Sequence, residues 1–264
     1  MDLNIKDKVA LITGSTAGIG LASAKKLLAE GAHVIVNGRS KDRLHQVVDD
    51  LKKEFSKHQI SSIAVDFSKK DEVNTLFETI DEVDILINNV GVYKADSFFE
   101  MEDDEWYRQF EINVMSGVRL SRYYLPKMLK KNWGRILFIS SECAELVPPD
   151  MLAYSMTKTA VVGIAKGLAQ LTKSTGVTVN SILPGSTLSE GAERFLEDEA
   201  RKTHQTKEAI EAAFFKDVRT SSLLQRFAHV DEVASTIAYY SSALSSATNG
   251  AAIKVDGGST GGLL

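Results

Sequence analysis

Short, uninterrupted apolar runs recur along the chain, separated by longer stretches in which apolar residues return every three or four positions. The runs are VALIT (9–13), HVIVN (33–37), SIAVD (62–66), DILIN (84–88), RILFIS (135–140), VTVNSIL (177–183) and AAIKVD (251–256). Their length and β-branched content predict strands. The stretches between them predict helices near 18–30, 41–57, 71–80, 103–130, 154–174 and 231–243. Strands that alternate with helices form a parallel sheet, and strands apolar on both faces must be covered on both sides. The expectation is therefore an α/β fold, a single doubly wound parallel sheet with helices on both faces. Residues 1–264 form one domain in this reading. Residues 186–222 break the rhythm: they carry charges of both signs together with Phe195, Phe214 and Phe215. They predict helices laid over the sheet edge. A substrate lid is one reading of them and a plain surface excursion is the other, because long connections in compact domains are often functional.

Composition narrows the range of functions. The formal net charge of −4 over 264 residues gives no general attraction to nucleic acid or to anionic lipid. No apolar run reaches membrane-spanning length and no secretory leader pattern opens the sequence, so the default expectation is a cytoplasmic protein with neither membrane nor nucleic acid as partner. Cys143 is the single cysteine, and the five histidines show no ligand spacing. No structural metal is expected.

Candidate chemistry begins at ALITGSTAGIG, where a strand turns directly into a helix. Glycines let the backbone approach a pyrophosphate closely, and the helix N-terminus offers free N–H groups and a positive dipole end. Gly14, Ser15, Thr16, Gly18, Ile19 and Gly20 are the candidate phosphate-binding residues. A tight connection with no ligand is the competing reading. The second strand ends in VNGRS, where an NAD enzyme places a carboxylate on the ribose 2′-hydroxyl. Here Gly38 stands in that position, and Arg39 and Ser40 follow. A guanidinium without a neighbouring acid favours NADP(H) over NAD(H), unless Arg39 is merely a solvated surface residue. Asp66 and Phe67 end the third strand, and Asn89 and Gly91 follow the fourth. They are placed to border adenine and ribose, or to serve as simple turns.

The stretch AYSMTKTA sets Tyr154 and Lys158 one helical turn apart. A phenol with a pKa of about 10 is a poor base alone, and a nearby ammonium favours its ionised form. Ser140 and Ser141 stand at the C-terminal end of a central strand, where open α/β sheets bind ligands.

Taken in order, TGSTAGIG (13–20), NNVG (88–91), Asn113 in EINV, ISS (139–141), YSMTK (154–158) and VNSILPG (179–185) closely resemble the short-chain dehydrogenase/reductase family over nearly the whole chain, in particular its 3-oxoacyl-carrier-protein reductase-like members. The resemblance implies a Rossmann fold and a catalytic group of Asn113, Ser141, Tyr154 and Lys158. It implies that Lys158 lowers the Tyr154 pKa and holds the nicotinamide ribose, and that Asn113 anchors a water in a proton relay. Ser141 is preferred to Ser140 because the family's serine precedes its tyrosine by thirteen residues, which leaves Ser140 a structural role. Pro184, Gly185 and either Thr187 or Ser189 would contact the nicotinamide carboxamide. The implied partner is a small carbonyl or alcohol substrate, with 3-oxoacyl thioesters among the candidates. A homotetramer pairing through the helices at 103–130 and 154–174 is also implied. Val90, Glu142 and Cys143 depart from the family pattern near the expected pocket. A protein that senses NADP(H) without turning over substrate is the alternative, although the tyrosine and lysine are both intact.

Overall fold

The computed structural model describes residues 2–56 and 58–262. The first half of the chain lays down β1 (Val9–Ile12), α1 (Gly18–Ala29), β2 (His33–Gly38), α2 (Lys41–Glu54), β3 (Ile60–Ala64), α3 (Lys70–Thr79) and β4 (Ile85–Asn88). After a connection come α4 (Asp103–Phe110), a π-helical turn (Glu111–Met115), α5 (Ser116–Lys131), β5 (Gly134–Ile139) and the short α6 (Cys143–Leu146). Then follow α7 (Leu152–Gln170), β6 (Val177–Pro184), β7 (Thr187–Leu188), α8 (Glu190–Thr203), α9 (Lys207–Asp217), β8 (Ala228–His229), α10 (Val230–Tyr240) and β9 (Ala252–Val255).

The main sheet has strand order β3-β2-β1-β4-β5-β6-β9, and every neighbouring pair is parallel. All seven expected strands are present. β5 and β6 are buried at every position, as both-sided covering requires. One apolar layer packs Leu27, Leu28, Leu44, Leu51 and Ile237 against Ile12, Val34 and Ile85. The opposite layer packs Leu76, Leu120, Tyr124, Met128 and Val161 against Leu11, Leu86 and Ile136. The helices obey local rules. In α2 the buried Leu44, Val47, Val48 and Leu51 fall on one face, and the Ser40 hydroxyl caps its N-terminus by accepting from the Arg43 N–H at 3.3 Å.

One departure from the sequence expectation and one expected feature matter for the site. The helix expected over 103–130 is continuous in direction, but it contains the π turn, and Asn113 sits in it. Such turns add a residue to a helical turn and are found at functional positions. The stretch 186–222 is occupied by α8 and α9, whose Leu196 and Phe215 form a small third cluster with Phe227. Strand order reverses between β1 and β4, and there the C-terminal strand ends open a crevice.

Candidate active site

The Gly-rich turn follows β1. Gly14 and Gly18 have φ of +61° and +54°, a region that side chains with a Cβ avoid. At Gly20 an added Cβ would stand 2.5 Å from the Gly14 carbonyl oxygen, so the turn closes only with glycine there. Ala17, at the N-cap of α1, supplies no side-chain cap. The first N–H groups of the helix therefore face the crevice with no side chain competing for them, which is what a phosphate requires. Ser15 is different from the expectation. It is fully buried, its hydroxyl donates to the Ile12 carbonyl at 2.7 Å and accepts from the Asn37 N–H at 2.9 Å. It braces the turn from behind instead of facing a ligand.

A cavity of about 240 Å³ lies beyond the turn, lined among others by Gly14, Thr16, Arg39, Asp66, Phe67 and Gly91. Gly38 is held to glycine by packing, because a Cβ would meet the Thr16 methyl at 2.6 Å. No carboxylate stands at position 38. Arg39 is exposed at the cavity rim, while Ser40 serves as the α2 cap. Asp66 stays below its usual pKa: burial would raise it, but hydrogen bonds from Ser68 and the charge of Arg39 outweigh that. Asn89 ties β4 to the turn by donating to the Thr13 and Gly14 carbonyls at 2.9 and 3.0 Å. These residues line one groove at the C-terminal ends of β1, β2 and β4.

Asn89 and Gly91 also border a larger cavity of about 720 Å³, which collects Ile19, Gly20, Ser141, Tyr154, Lys158, Pro184, Gly185 and Thr187. Gly18 lines neither cavity; its part is the left-handed turn. Lys158 is 4 % exposed, its Nζ donates to the Ile139 carbonyl at 2.8 Å and lies 5.4 Å from the centre of the Tyr154 ring. Burial brings the Lys158 ammonium down to about 8. The same burial, reinforced by Cys143, pushes the Tyr154 phenol up, and the neighbouring Ser141 hydroxyl opposes only part of this. Desolvation is the largest influence on both groups, raising one and lowering the other.

Asn113 is buried, and its side chain is fully engaged. It donates to the Val92 carbonyl at 2.8 Å and to Thr157 Oγ1 at 3.0 Å, and accepts from the Val92 N–H at 2.7 Å. It approaches Lys158 across Gly91, where an added Cβ would lie 3.3 Å from Lys158 Nζ and 3.6 Å from Asn113 Oδ1. Ser140 has the structural role expected of it, donating to the Lys158 carbonyl at 2.7 Å. Ser189 lines the cavity and caps α8. Cys143 is buried with its thiol pKa raised by that burial, consistent with a pocket-wall residue.

Phe195 of α8 and Phe214 of α9, with Phe227, also line the cavity. Two features of this site escaped the sequence. Arg43 on α2 reaches the Thr16 carbonyl at 3.4 Å and Glu190 of α8 at 3.0 Å, bridging the mouth of the groove. Glu142, directly after Ser141, pairs with Arg219 at 2.9 Å. Both join residues far apart in the chain.

A profile of the short chain dehydrogenase family matches residues 8–200. The protein belongs to the short chain dehydrogenase family. This short chain dehydrogenase is 45 % identical to the uncharacterized oxidoreductase YvaG of Bacillus subtilis, over 98 % of both chains. It is 30 % identical to the 3-oxoacyl-[acyl-carrier-protein] reductase FabG of Aquifex aeolicus, over 98 % of this chain and 99 % of the other. Among solved structures it is similar to the L-sorbose reductase of Gluconobacter frateurii complexed with NADPH and L-sorbose, with a TM-score of 0.93 and 30 % identity over the full length of both chains. The short chain dehydrogenase is accordingly an oxidoreductase. No helix among its described residues is long and apolar enough to cross a membrane.

Proposed function

We propose that the enzyme transfers hydride between NADP(H) and a carbonyl or secondary alcohol, with Asn113, Ser141, Tyr154 and Lys158 as its reacting group. The observation that carries this reading is that Ser141, Tyr154 and Lys158 line one cavity with Gly20 and Pro184, continuous through Asn89 and Gly91 with the Arg39 groove. When bound along that groove, the cofactor supplies or accepts the hydride.

The chain's own residues do the rest. Ser141 and Tyr154 donate hydrogen bonds to the substrate oxygen, and in reduction Tyr154 gives that oxygen its proton. The raised pKa keeps the phenol protonated at neutral pH, ready to act as the acid. Lys158, one turn away, stabilises the phenolate that remains, and its buried position strengthens the attraction. Asn113 positions the pair by fixing the 91–92 backbone against α7. Residues 186–222 serve as the lid, with Phe195 and Phe214 keeping water from the reacting atoms. Arg39, facing no acid at position 38, supports NADP(H) over NAD(H). Exposed Phe99, Tyr107 and Phe110 around α4 support self-association through that face, as in a homotetramer.

The test follows consumption of NADPH and NADH across a panel of ketones, diketones and 3-oxoacyl thioesters. Tyr154→Phe should lower turnover by about 10²–10⁴-fold while cofactor binding persists. Cofactor binding with no turnover of any carbonyl by the wild type would support the sensor reading instead.

A further inference from the structure

The reaction cavity presents aromatic surface that stands open to water. Tyr93, in the connection after β4, is 63 % exposed, and its ring meets the reacting Tyr154 ring edge to face with centres 5.8 Å apart. Phe195 of α8 is 45 % exposed and lies against Phe214 of α9, with ring centres 6.4 Å apart. Both line the cavity, together with Met151 and Phe227. Large apolar side chains left in contact with water inside a concave site mark a wall made for a ligand.

The polar side chains beside this wall are committed to one another. The Ser186 hydroxyl donates to Glu142 Oε1 at 3.0 Å, and the Thr187 hydroxyl donates to the Gly185 carbonyl at 2.9 Å. Glu142 is enclosed: Oε1 also accepts from Arg219 Nε at 2.9 Å, and Oε2 has essentially no accessible surface. The same carboxylate offsets the Arg219 charge, so an ionised substrate group meets no net positive charge there. Ser141 differs from these. Its hydroxyl oxygen accepts from the Cys143 N–H at 3.1 Å and keeps its own proton for a substrate oxygen. The cavity therefore offers hydrogen bonds at the reacting oxygen, from Ser141 and Tyr154, and apolar contact beyond it. A hydroxyl-rich substrate would give up water at the aromatic wall for little return, whereas an apolar substituent gains by leaving water.

We propose that Tyr93 and Phe195 form the specificity wall of this site, and that the preferred substrates are neutral ketones bearing a bulky apolar substituent of the aryl-alkyl type. This rests on the reading of the cavity as a carbonyl reductase site and deepens it. The substituent takes no part in the chemistry: hydride from NADPH goes to the carbonyl carbon and a proton from Tyr154 to its oxygen, giving NADP⁺ and the secondary alcohol.

The experiment measures kcat/KM with NADPH for 4-phenyl-2-butanone, acetone, hydroxyacetone and L-sorbose in the wild type, Tyr93→Ser and Phe195→Ser. Neither side chain belongs to a core cluster, so both variants should fold. The wild type should favour 4-phenyl-2-butanone over acetone by about 50- to 100-fold, the preference that follows from covering about 100 Å² of apolar substrate surface at about 25 cal/mol per Å². Each substitution should lower that ratio by about 10-fold, as about half of the cover is lost. A wild type that prefers hydroxyacetone or L-sorbose to the aryl ketone overturns the assignment, as does a ratio that either substitution leaves unchanged. If the wild type reduces none of the probes, the reductase reading fails separately. The wall is then judged by calorimetric binding of 4-phenyl-2-butanol to the NADP⁺-loaded protein: binding weakened about 10-fold in both variants supports the assignment, and binding absent from the wild type or indifferent to either substitution overturns it.

Discussion

Lys158 offers a direct way to measure how strongly the site is held against its own stability. Its ammonium is buried, and its pKa falls from 10.5 to about 8. That drop of about 2.5 units is equivalent to about 3 kcal/mol by which the folded state disfavours the charged form, at about 1.4 kcal/mol per unit. A folded pKa below the unfolded one means that, between pH 8 and 10.5, the unfolded chain binds a proton the native protein has released. Stability contributed by this residue therefore rises with pH through that window, and at neutral pH the charged lysine is at its most costly. Lys158→Met removes the group. It also leaves the Ile139 carbonyl without its 2.8 Å partner, a loss of about 1–3 kcal/mol that is independent of pH. The absolute stabilities of the two proteins are thus close at pH 7, but their difference depends on pH. Urea unfolding of the cofactor-free proteins, followed by far-ultraviolet circular dichroism, should show the wild type gaining about 2–3 kcal/mol on the variant between pH 7 and pH 10. Parallel stability curves across that range would falsify the argument, because every other titrating group is common to both chains.

Arg39→Ala should weaken NADPH binding by about 10- to 100-fold and leave NADH binding nearly unchanged, measured by fluorescence titration; equal loss for both cofactors would remove Arg39 from the 2′-phosphate. Asn113→Ala deprives the Val92 N–H, the Val92 carbonyl and Thr157 Oγ1 of a shared partner, and should cost about 3 kcal/mol in denaturant titrations along with a loss of turnover. A variant with unaltered stability would show that water replaces the amide without penalty.

What the sequence made legible was local. The Gly14–Gly20 turn and the four-residue spacing of Tyr154 and Lys158 are both encoded within a turn or two of chain, where steric and hydrogen-bonding rules act directly. The parallel sheet was legible for the same reason, since each strand is marked by its own apolar run; only the edges moved, as with β3, which occupies Ile60–Ala64 instead of 62–66. What escaped notice depends on distance or on environment. Glu142 and Arg219 are 77 positions apart, and no periodicity links them. Ser15 looks like any other polar residue of a phosphate-binding turn until its hydroxyl is seen to be buried between Ile12 and Asn37. The pKa of Tyr154 follows from how deeply the fold encloses it, and the four-residue spacing to Lys158 says nothing about that.

The π turn at Glu111–Met115 has a consequence for how this chain can vary in length. Each residue of an α-helix advances the side chains by about 100° around the axis. The extra residue in the turn therefore sets the angular phase between α4 and α5, as a shim sets two gears. Removing one residue there would leave α5 seated on the sheet through Leu120, Tyr124 and Met128 but would rotate all of α4, taking the buried Gln109 off its contact face. The same deletion in the loop between α8 and α9 would shift only two surface helices. Residue count is thus a fixed quantity in one segment and a free one in the other, and changes of length in this scaffold belong at the lid, where they reshape the pocket without disturbing the mechanism beneath it.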